Sequence, residues 1–191
     1  MGTPEEHERT DPRVPGDLDL VRVFVNTYDV ESGEDRIATA DDLHAWLVER
    51  DLLAPTDPIG APDVERLQQV REALRELLQA NHDGADPDAR ATATLERLGA
   101  GASLAVGFTD EAKAVVRPAT GGVDGFIGRV LAAVATAETA GTWERLKVCG
   151  ASTCRWAYYD ESKNRSRHWC SMAVCGNREK ARKYRARQRS T

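Results

Sequence analysis

CGASTC at residues 149–154 and CSMAVC at residues 170–175 are the two stretches that decide the fold of the C-terminal part of the chain. They hold all four cysteines, in the pattern C-x4-C-x15-C-x4-C. Each pair supplies two thiolates from one tight turn, and the insert lets the second pair face the first, as a tetrahedral zinc site requires. Four thiolates leave no open position for water or substrate. The pattern therefore predicts one structural Zn²⁺ bound by Cys149, Cys154, Cys170 and Cys175.

Two disulfides or four free thiols are the alternative interpretation of these cysteines. A cytosolic chain of this size does not depend on disulfides, which reducing conditions would break. Unrelated buried thiols do not usually cluster as two equally spaced pairs, so metal binding is favoured. His168 lies two residues before Cys170 and is a further candidate ligand. A surface position or a phosphate contact fits this histidine better.

Charge is divided unevenly along the chain. Residues 145–191 hold 13 Lys and Arg against 3 Asp and Glu, whereas residues 1–144 hold 13 against 28. Clustered basic residues are typical of nucleic-acid-binding surfaces, so the division predicts a nucleic-acid partner, with DNA favoured over RNA. The alternatives are a basic tail that docks on the acidic body of the same chain, or a zinc-stabilised module that binds an acidic protein.

Basic side chains recur at helical spacing after the last cysteine. Four arginines follow the i, i+4, i+7, i+11 pattern of one helix face. Arginine suits phosphate because its planar guanidinium donates two parallel hydrogen bonds. A helix that is polar on all sides is either solvated or held by a partner. Together with the basic insert, the predicted nucleic-acid-binding residues are Lys163, Asn164, Arg165, Arg167, Arg178, Lys180, Arg182, Lys183, Arg185, Arg187 and Arg189.

The rest of the chain is predicted to be mostly helical with one β-hairpin. Apolar residues recur at helical spacing in five segments, and the pattern changes to that of a hairpin near residue 103. Residues 1–16 are acidic and proline-rich, which predicts disorder. The predicted class is mainly α with a β-hairpin (α+β), ending in a zinc-ribbon-like module and a basic helix. The helices are predicted over 17–29, 40–50, 62–80, about 86–99 and 123–139, the hairpin strands over 103–108 and 112–118, and a short strand over 155–159.

Catalytic and membrane functions find little support in the sequence. It contains no phosphate-cradling glycine-rich motif, no GxSxG and no HExxH. No apolar run is long enough to span a bilayer, and the N-terminus lacks the basic start and apolar stretch of a secretory signal. The sequence therefore predicts a cytoplasmic binding protein and not an enzyme.

Residues 148–189 closely resemble the CGNR zinc finger. The resemblance rests on the two cysteine pairs, the aromatic-Asp-x-Ser-x-Asn insert at 159–164, the Trp-Cys-x-Met run at 169–172 and the CGNR motif at 175–178. Glu161 stands where a small residue is more usual, and His168 where arginine is expected. Within the motif, Gly176 permits close backbone approach. Arg178 either supports the turn by pairing with Asp160 or contacts nucleic acid.

The N-terminal part resembles the ABATE domain through Asn26-Thr27, Leu43-x-x-Trp46-Leu47 and the segment 70–75. The resemblance implies a bacterial transcription regulator with a helical domain at 17–141 and a nucleic-acid-binding zinc module at 146–191. The N-terminal domain would sense a small molecule or form a homodimer. Asn26 and Arg71 are the candidate ligand-pocket residues, and the alternative is that both are satisfied packing residues.

Overall fold

The structure, a computed structural model, describes residues 13–189. Helices predominate in this part of the chain, and four strands form two separate antiparallel pairs. This confirms the predicted α+β class. The elements are α1 (Leu18–Val25), α2 (Ala40–Val48), α3 (Ala61–Asp83), α4 (Ala89–Gly99), β1 (Leu104–Phe108), β2 (Ala114–Pro118), α5 (Gly122–Thr139), β3 (Leu146–Val148), β4 (Ala157–Tyr159) and α6 (Asn177–Arg189).

The apolar faces of the first five helices build the main core. At its centre, the ring of Phe24 lies 5.0 Å from that of Phe126 and 6.0 Å from that of Trp46. Helix α2 begins after its N-cap Thr39, whose hydroxyl accepts the N–H of Asp42 at 3.2 Å. Helix α3 is the longest, with 23 residues, and it contacts both the N-terminal helices and β3. It therefore connects the core to the cysteine-bearing part.

The start of the chain differs from its prediction. Helix α1 ends at Val25 instead of residue 29, because the chain turns and Tyr28 forms a β-bridge with Asp35. Residues 13–16 were expected to be disordered, but Val14 is buried in the core and the carbonyl of Pro15 accepts the N–H of Leu18. The rest of the predicted disordered segment, residues 1–12, lies outside the described residues.

The predicted β1–β2 hairpin is present, with Val106 opposite Val116 and Phe108 opposite Ala114. The side chains of Leu104, Val106, Phe108 and Val116 are largely exposed. The hairpin is attached to the core through Leu104 and Pro118, which lie against Gly128 of α5. No helix among residues 13–189 combines the length and apolarity needed to cross a membrane.

The β3–β4 pair packs on the helical body. Leu146, Val148 and Ala157 are buried in the same core as the helices. The side-chain amide of Asn81 donates to the carbonyls of Trp143 and Leu146, both at 3.0 Å. The short strand β3 was not predicted, whereas β4 falls inside the predicted strand. The hairpin that carries the first cysteine pair is thus fixed to α3.

Candidate metal centre and basic surface

The four cysteine sulfur atoms form one compact cluster. All four Sγ atoms lie within 4.8 Å of one another, and Cys170 Sγ is 3.7 Å from the Sγ atoms of Cys154 and Cys175. A disulfide bond is about 2.05 Å long, whereas a tetrahedron with Zn–S bonds of about 2.3 Å has edges of about 3.8 Å. The cluster therefore fits a structural Zn²⁺ held by four thiolates, as the sequence predicted.

Two local turns present these sulfur atoms. The first pair lies in the loop between β3 and β4, where the N–H of Cys149 donates to Trp156 O and that of Cys154 to Ala151 O, both at 2.9 Å. In the second pair, Cys170 precedes a turn of π-helix, Met172–Gly176, which contains Cys175 and continues directly into α6. The metal therefore fixes the position at which the basic helix begins.

Close packing makes the four thiols unequal acids, since hydrogen bonds with Cys154 and Cys170 lower the pKa of Cys149. Hydrogen bonding with Cys149, with burial added, raises the pKa of the Cys154 and Cys170 thiols. Since zinc binds the deprotonated form of each ligand, the metal offsets this cost and releases protons on binding. Bound zinc would therefore supply much of the folding free energy of this small module.

Asp160 organises the insert between the cysteine pairs. Its fully buried carboxylate accepts hydrogen bonds from Lys147 Nζ at 2.9 Å, from the Ser162 hydroxyl at 2.6 Å and from the Arg167 N–H at 3.0 Å. Burial alone raises the pKa of Asp160, but the hydrogen bonds from Ser162 and Lys147 outweigh it and lower the pKa to about 2. The insert is therefore held by a buried ion pair.

The two predicted nucleic-acid-binding arginines of the insert, Arg165 and Arg167, are both engaged within the protein. Arg167 donates to the carbonyls of Trp169 and Cys170, and its guanidinium lies 4.9 Å from the ring centre of Tyr158. Arg165 forms an ion pair with Glu144. These contacts join the insert to the second cysteine pair and to the body. The insert residues Lys163 and Asn164 are exposed.

The CGNR motif has three distinct structural roles. A Cβ atom at position 176 would lie 2.4 Å from the sulfur of Met172, so glycine makes room for this side chain. Asn177 donates to Ala173 O at 3.1 Å and so supports the turn. Arg178 does not pair with Asp160, which Lys147 occupies. It pairs instead with Glu31 in the loop after α1, at 2.7 Å.

Beyond this motif, helix α6 presents a basic surface on all sides. Seven of its 13 residues are Lys or Arg, and every residue from 180 to 189 is exposed. Arg182 pairs with Glu179 at 2.8 Å and Arg185 donates to Ala181 O, so both contacts lie within the helix. The structure therefore brings together on one exposed helix Lys180, Arg182, Lys183, Arg185, Arg187 and Arg189.

Comparisons with known families agree with this architecture. The ABATE family model, described as "Putative stress-induced transcription regulator", matches residues 18–141, and the CGNR zinc finger model matches residues 145–188. The chain belongs to the ABATE family and carries a CGNR zinc finger. No curated protein matches the sequence at a significant level.

Asn26, one of the two candidate pocket residues, joins the ABATE part to the CGNR finger. Its amide donates to Ala157 O at 2.9 Å and accepts from Ala157 N–H at 2.7 Å. The cavity that it lines has a volume of about 10 Å³, which is room for about one water molecule. The structure therefore uses Asn26 for packing, in agreement with the alternative interpretation.

Arg71, the other candidate, is buried and bonded within the ABATE part. Its guanidinium donates to both carboxylate oxygens of Asp35, at 2.7 and 2.8 Å, and to the Thr27 hydroxyl at 3.1 Å. It also lies 5.2 Å from the ring centre of Tyr28. These bonds fix the loop between α1 and α2 on α3, so Arg71 also belongs to the protein's own packing.

Arg75 is the residue that sequence reasoning missed. It is fully buried, and it donates to Val25 O at 2.7 Å and to Arg155 O at 3.0 Å. The second contact lies directly after the zinc ligand Cys154. An arginine in a helical segment is usually predicted to lie on the surface. The only signal of burial was its place on the apolar side of α3, one residue after Leu74.

Proposed function

We propose that the protein is a bacterial, cytoplasmic transcription regulator that binds duplex DNA through its CGNR finger. In this proposal the zinc site fixes the start of α6, and the basic side chains of α6 contact backbone phosphates. The protein acts by binding and not by catalysis. The family match supports a regulatory role, and the basic surface supports a nucleic-acid target.

One observation carries the proposal. Helix α6 is anchored at its first turn by the π-helical turn of the finger, while its basic residues from Lys180 onward are exposed to solvent. Like charges four residues apart destabilise an isolated helix, and Lys183 and Arg187 are such a pair. A polyanion relieves this repulsion, because phosphates neutralise the side chains. The exposed positive charge of α6 therefore favours a polyanionic partner outside the chain.

The acidic body of the same chain is a weaker candidate for that partner. Arg178 and Arg165 reach carboxylates outside the finger, at Glu31 and Glu144. These contacts lie at the base of α6 and in the insert, whereas Lys180 and the residues after it are exposed. The body thus orients the finger and leaves most of the basic helix available.

Duplex DNA is favoured over RNA by the position of the aromatic side chains. Sequence-specific RNA binding commonly stacks unpaired bases on exposed aromatic rings. Trp156 and Trp169 pack against the cysteine cluster and Tyr158 is buried, so these rings face the module. Tyr184 on α6 differs from these three aromatic residues, because its ring is exposed. A helix with phosphate-binding side chains suits the major groove of duplex DNA.

Selection from randomised pools tests the proposal. Zinc-loaded full-length protein is mixed with duplex-DNA and RNA pools, and the retained molecules are sequenced. An enriched duplex motif is expected. Enrichment of RNA would assign the protein to post-transcriptional work. Retention of neither pool above a charge-matched control protein would contradict nucleic-acid binding and favour a protein-interaction module.

The small-molecule effector and the homodimer are further proposals for the ABATE part. Two cavities of about 660 and 410 Å³ lie beside α5 and β2, and both are lined by Val116 and Ala132. Their size suits a small ligand, so an effector would bind there and not at Asn26 or Arg71. Ligand-induced thermal shifts test the effector, and sedimentation equilibrium of the full chain tests the dimer.

A further inference from the structure

An open recess separates the ABATE part from the first zinc knuckle, the turn of residues 149–154. It has a volume of about 590 Å³ and is lined by Val30 and Glu31 from the loop after α1, by Ser152 and Thr153 from the knuckle, and by Arg178. Ser152 and Thr153 are exposed, and they lie between the zinc ligands Cys149 and Cys154. A guanidinium and two hydroxyls therefore border one solvent-open site at the base of α6.

A carboxylate from the protein itself now contacts the guanidinium of this site. Glu31 Oε1 lies 2.7 Å from Arg178 Nη1, and the two side chains are 50% and 37% exposed. Carboxylate and phosphate both match the planar fork of arginine. An ion pair as exposed as this one contributes little to stability. A phosphate group can therefore replace the carboxylate without disturbing the core.

We propose that this recess is a subsite for a backbone phosphate of nucleic acid, bound by Arg178 with the hydroxyls of Ser152 and Thr153. Glu31 competes for Arg178 and so restrains the affinity of the finger. The subsite extends the phosphate-binding surface from α6 onto the zinc knuckle. This inference rests on the proposed function, because it names a further contact of the same finger.

Substitution of Glu31 by glutamine tests the competition. In Glu31→Gln the carboxylate charge is lost while the side-chain shape is kept, so we expect duplex DNA to bind about threefold to tenfold more tightly at fixed salt. The matched control is Glu111→Gln, which removes an exposed glutamate that is ion-paired with Lys113 at the tip of the β1–β2 hairpin. The control is expected to stay within twofold of the wild type. Fluorescence anisotropy of a labelled duplex measures all three proteins.

A second pair of variants ties the effect to the subsite. If Glu31 acts through Arg178, the double variant Glu31→Gln/Arg178→Gln binds no more tightly than Arg178→Gln alone. A gain that persists without Arg178 would overturn the proposal, as would equal affinities for Glu31→Gln and Glu111→Gln. Zinc content and melting temperature of each variant show that the finger remains folded.

The same titrations separate this inference from the proposed function. Duplex binding by the wild type with no gain in Glu31→Gln overturns the subsite and leaves the finger a nucleic-acid-binding module. Absence of binding by wild type and Glu31→Gln alike contradicts the proposed function, and the subsite with it.

Discussion

The side-chain amide of Asn26 pairs with the backbone of Ala157 as a neighbouring strand would. It donates to the Ala157 carbonyl and accepts from the Ala157 N–H, at 2.9 and 2.7 Å, across 131 residues of sequence. Ala157 begins β4, which follows the first zinc knuckle. The end of α1 therefore caps the zinc-bearing hairpin, and the two family-matched parts share a buried polar contact.

Loss of this contact destabilises the whole protein. In Asn26→Ala, a buried N–H and a buried carbonyl of Ala157 are left without their partner, at a cost of about 2–4 kcal/mol. Urea unfolding followed by circular dichroism measures the difference from the wild type. Asn164→Ala, at an exposed position of the insert, is the control and is expected to change stability by less than about 0.5 kcal/mol. Equal stabilities of the two variants would refute the capping role.

Removal of zinc is expected to affect the ABATE part as well as the finger. Cys170→Ser lacks one of the four thiolates, so zinc content should fall and the insert and α6 should lose their order. Because Leu146, Val148 and Ala157 are buried in the helical core, the melting temperature of the remaining helices should also fall. Metal analysis and thermal unfolding by circular dichroism measure both effects.

Two results for Cys170→Ser would contradict this expectation. A Cys170→Ser protein that keeps one zinc per chain would contradict the four-thiolate site. A protein that loses zinc but melts at the wild-type temperature would show that the finger and the helices are energetically independent. Ala173→Ser, which leaves all four thiolates in place and changes an exposed position of the same turn, is the control.

The Asp35–Arg71 ion pair predicts a specific dependence of stability on pH. Burial raises the pKa of Asp35, but the hydrogen bonds and charge of Arg71 outweigh it, so the pKa lies below its ordinary value of 3.8. A carboxylate with a lowered folded-state pKa adds stability that is present above the unfolded-state pKa and is lost as the pH falls below it. The contribution of Asp35 should therefore be complete at pH 7 and fade below about pH 4.

Comparison with Asp35→Asn isolates this contribution. At pH 7 the variant should be less stable than the wild type by about 2 kcal/mol, since it loses the charge-assisted hydrogen bonds between Asp35 and Arg71. The difference should shrink as the pH falls from about 5 to 3. Urea midpoints of both proteins across this range provide the measurement, and a difference that is constant with pH would show that the carboxylate charge is not responsible.

Much of the local structure could be predicted from the sequence. Cysteine spacing identified the zinc ligands because the two x4 pairs are specific. Helical periodicity placed α3 and α5 to within a few residues, since their apolar faces are long. Strand β3 has only three residues, which is too short for a periodic signal. Helix α1 was predicted too long because Tyr28 continues the apolar spacing although its backbone has already turned.

The contacts between the two parts could not be predicted, because they join residues far apart in sequence. Arg178 finds its partner Glu31 at a separation of 147 residues, and Arg75 reaches Arg155 at a separation of 80. Buried arginines such as Arg71 and Arg75 have the same sequence signature as solvated ones. Only the fold shows that these guanidinium groups bind backbone carbonyls and carboxylates of the protein itself.

The salt dependence of duplex-DNA binding tests the central claim, that exposed basic residues of α6 bind phosphates. A triple variant, Lys183→Ala/Arg185→Ala/Arg189→Ala, is compared with the wild type and with Arg90→Ala/Arg97→Ala/Lys113→Ala, which removes three exposed charges outside the finger. Each lost phosphate contact should reduce the log–log slope by about 0.9. The account predicts that the α6 variant has weaker binding and a slope shallower by about 2–3, while the control keeps the wild-type slope. Equal slopes for all three proteins would contradict it.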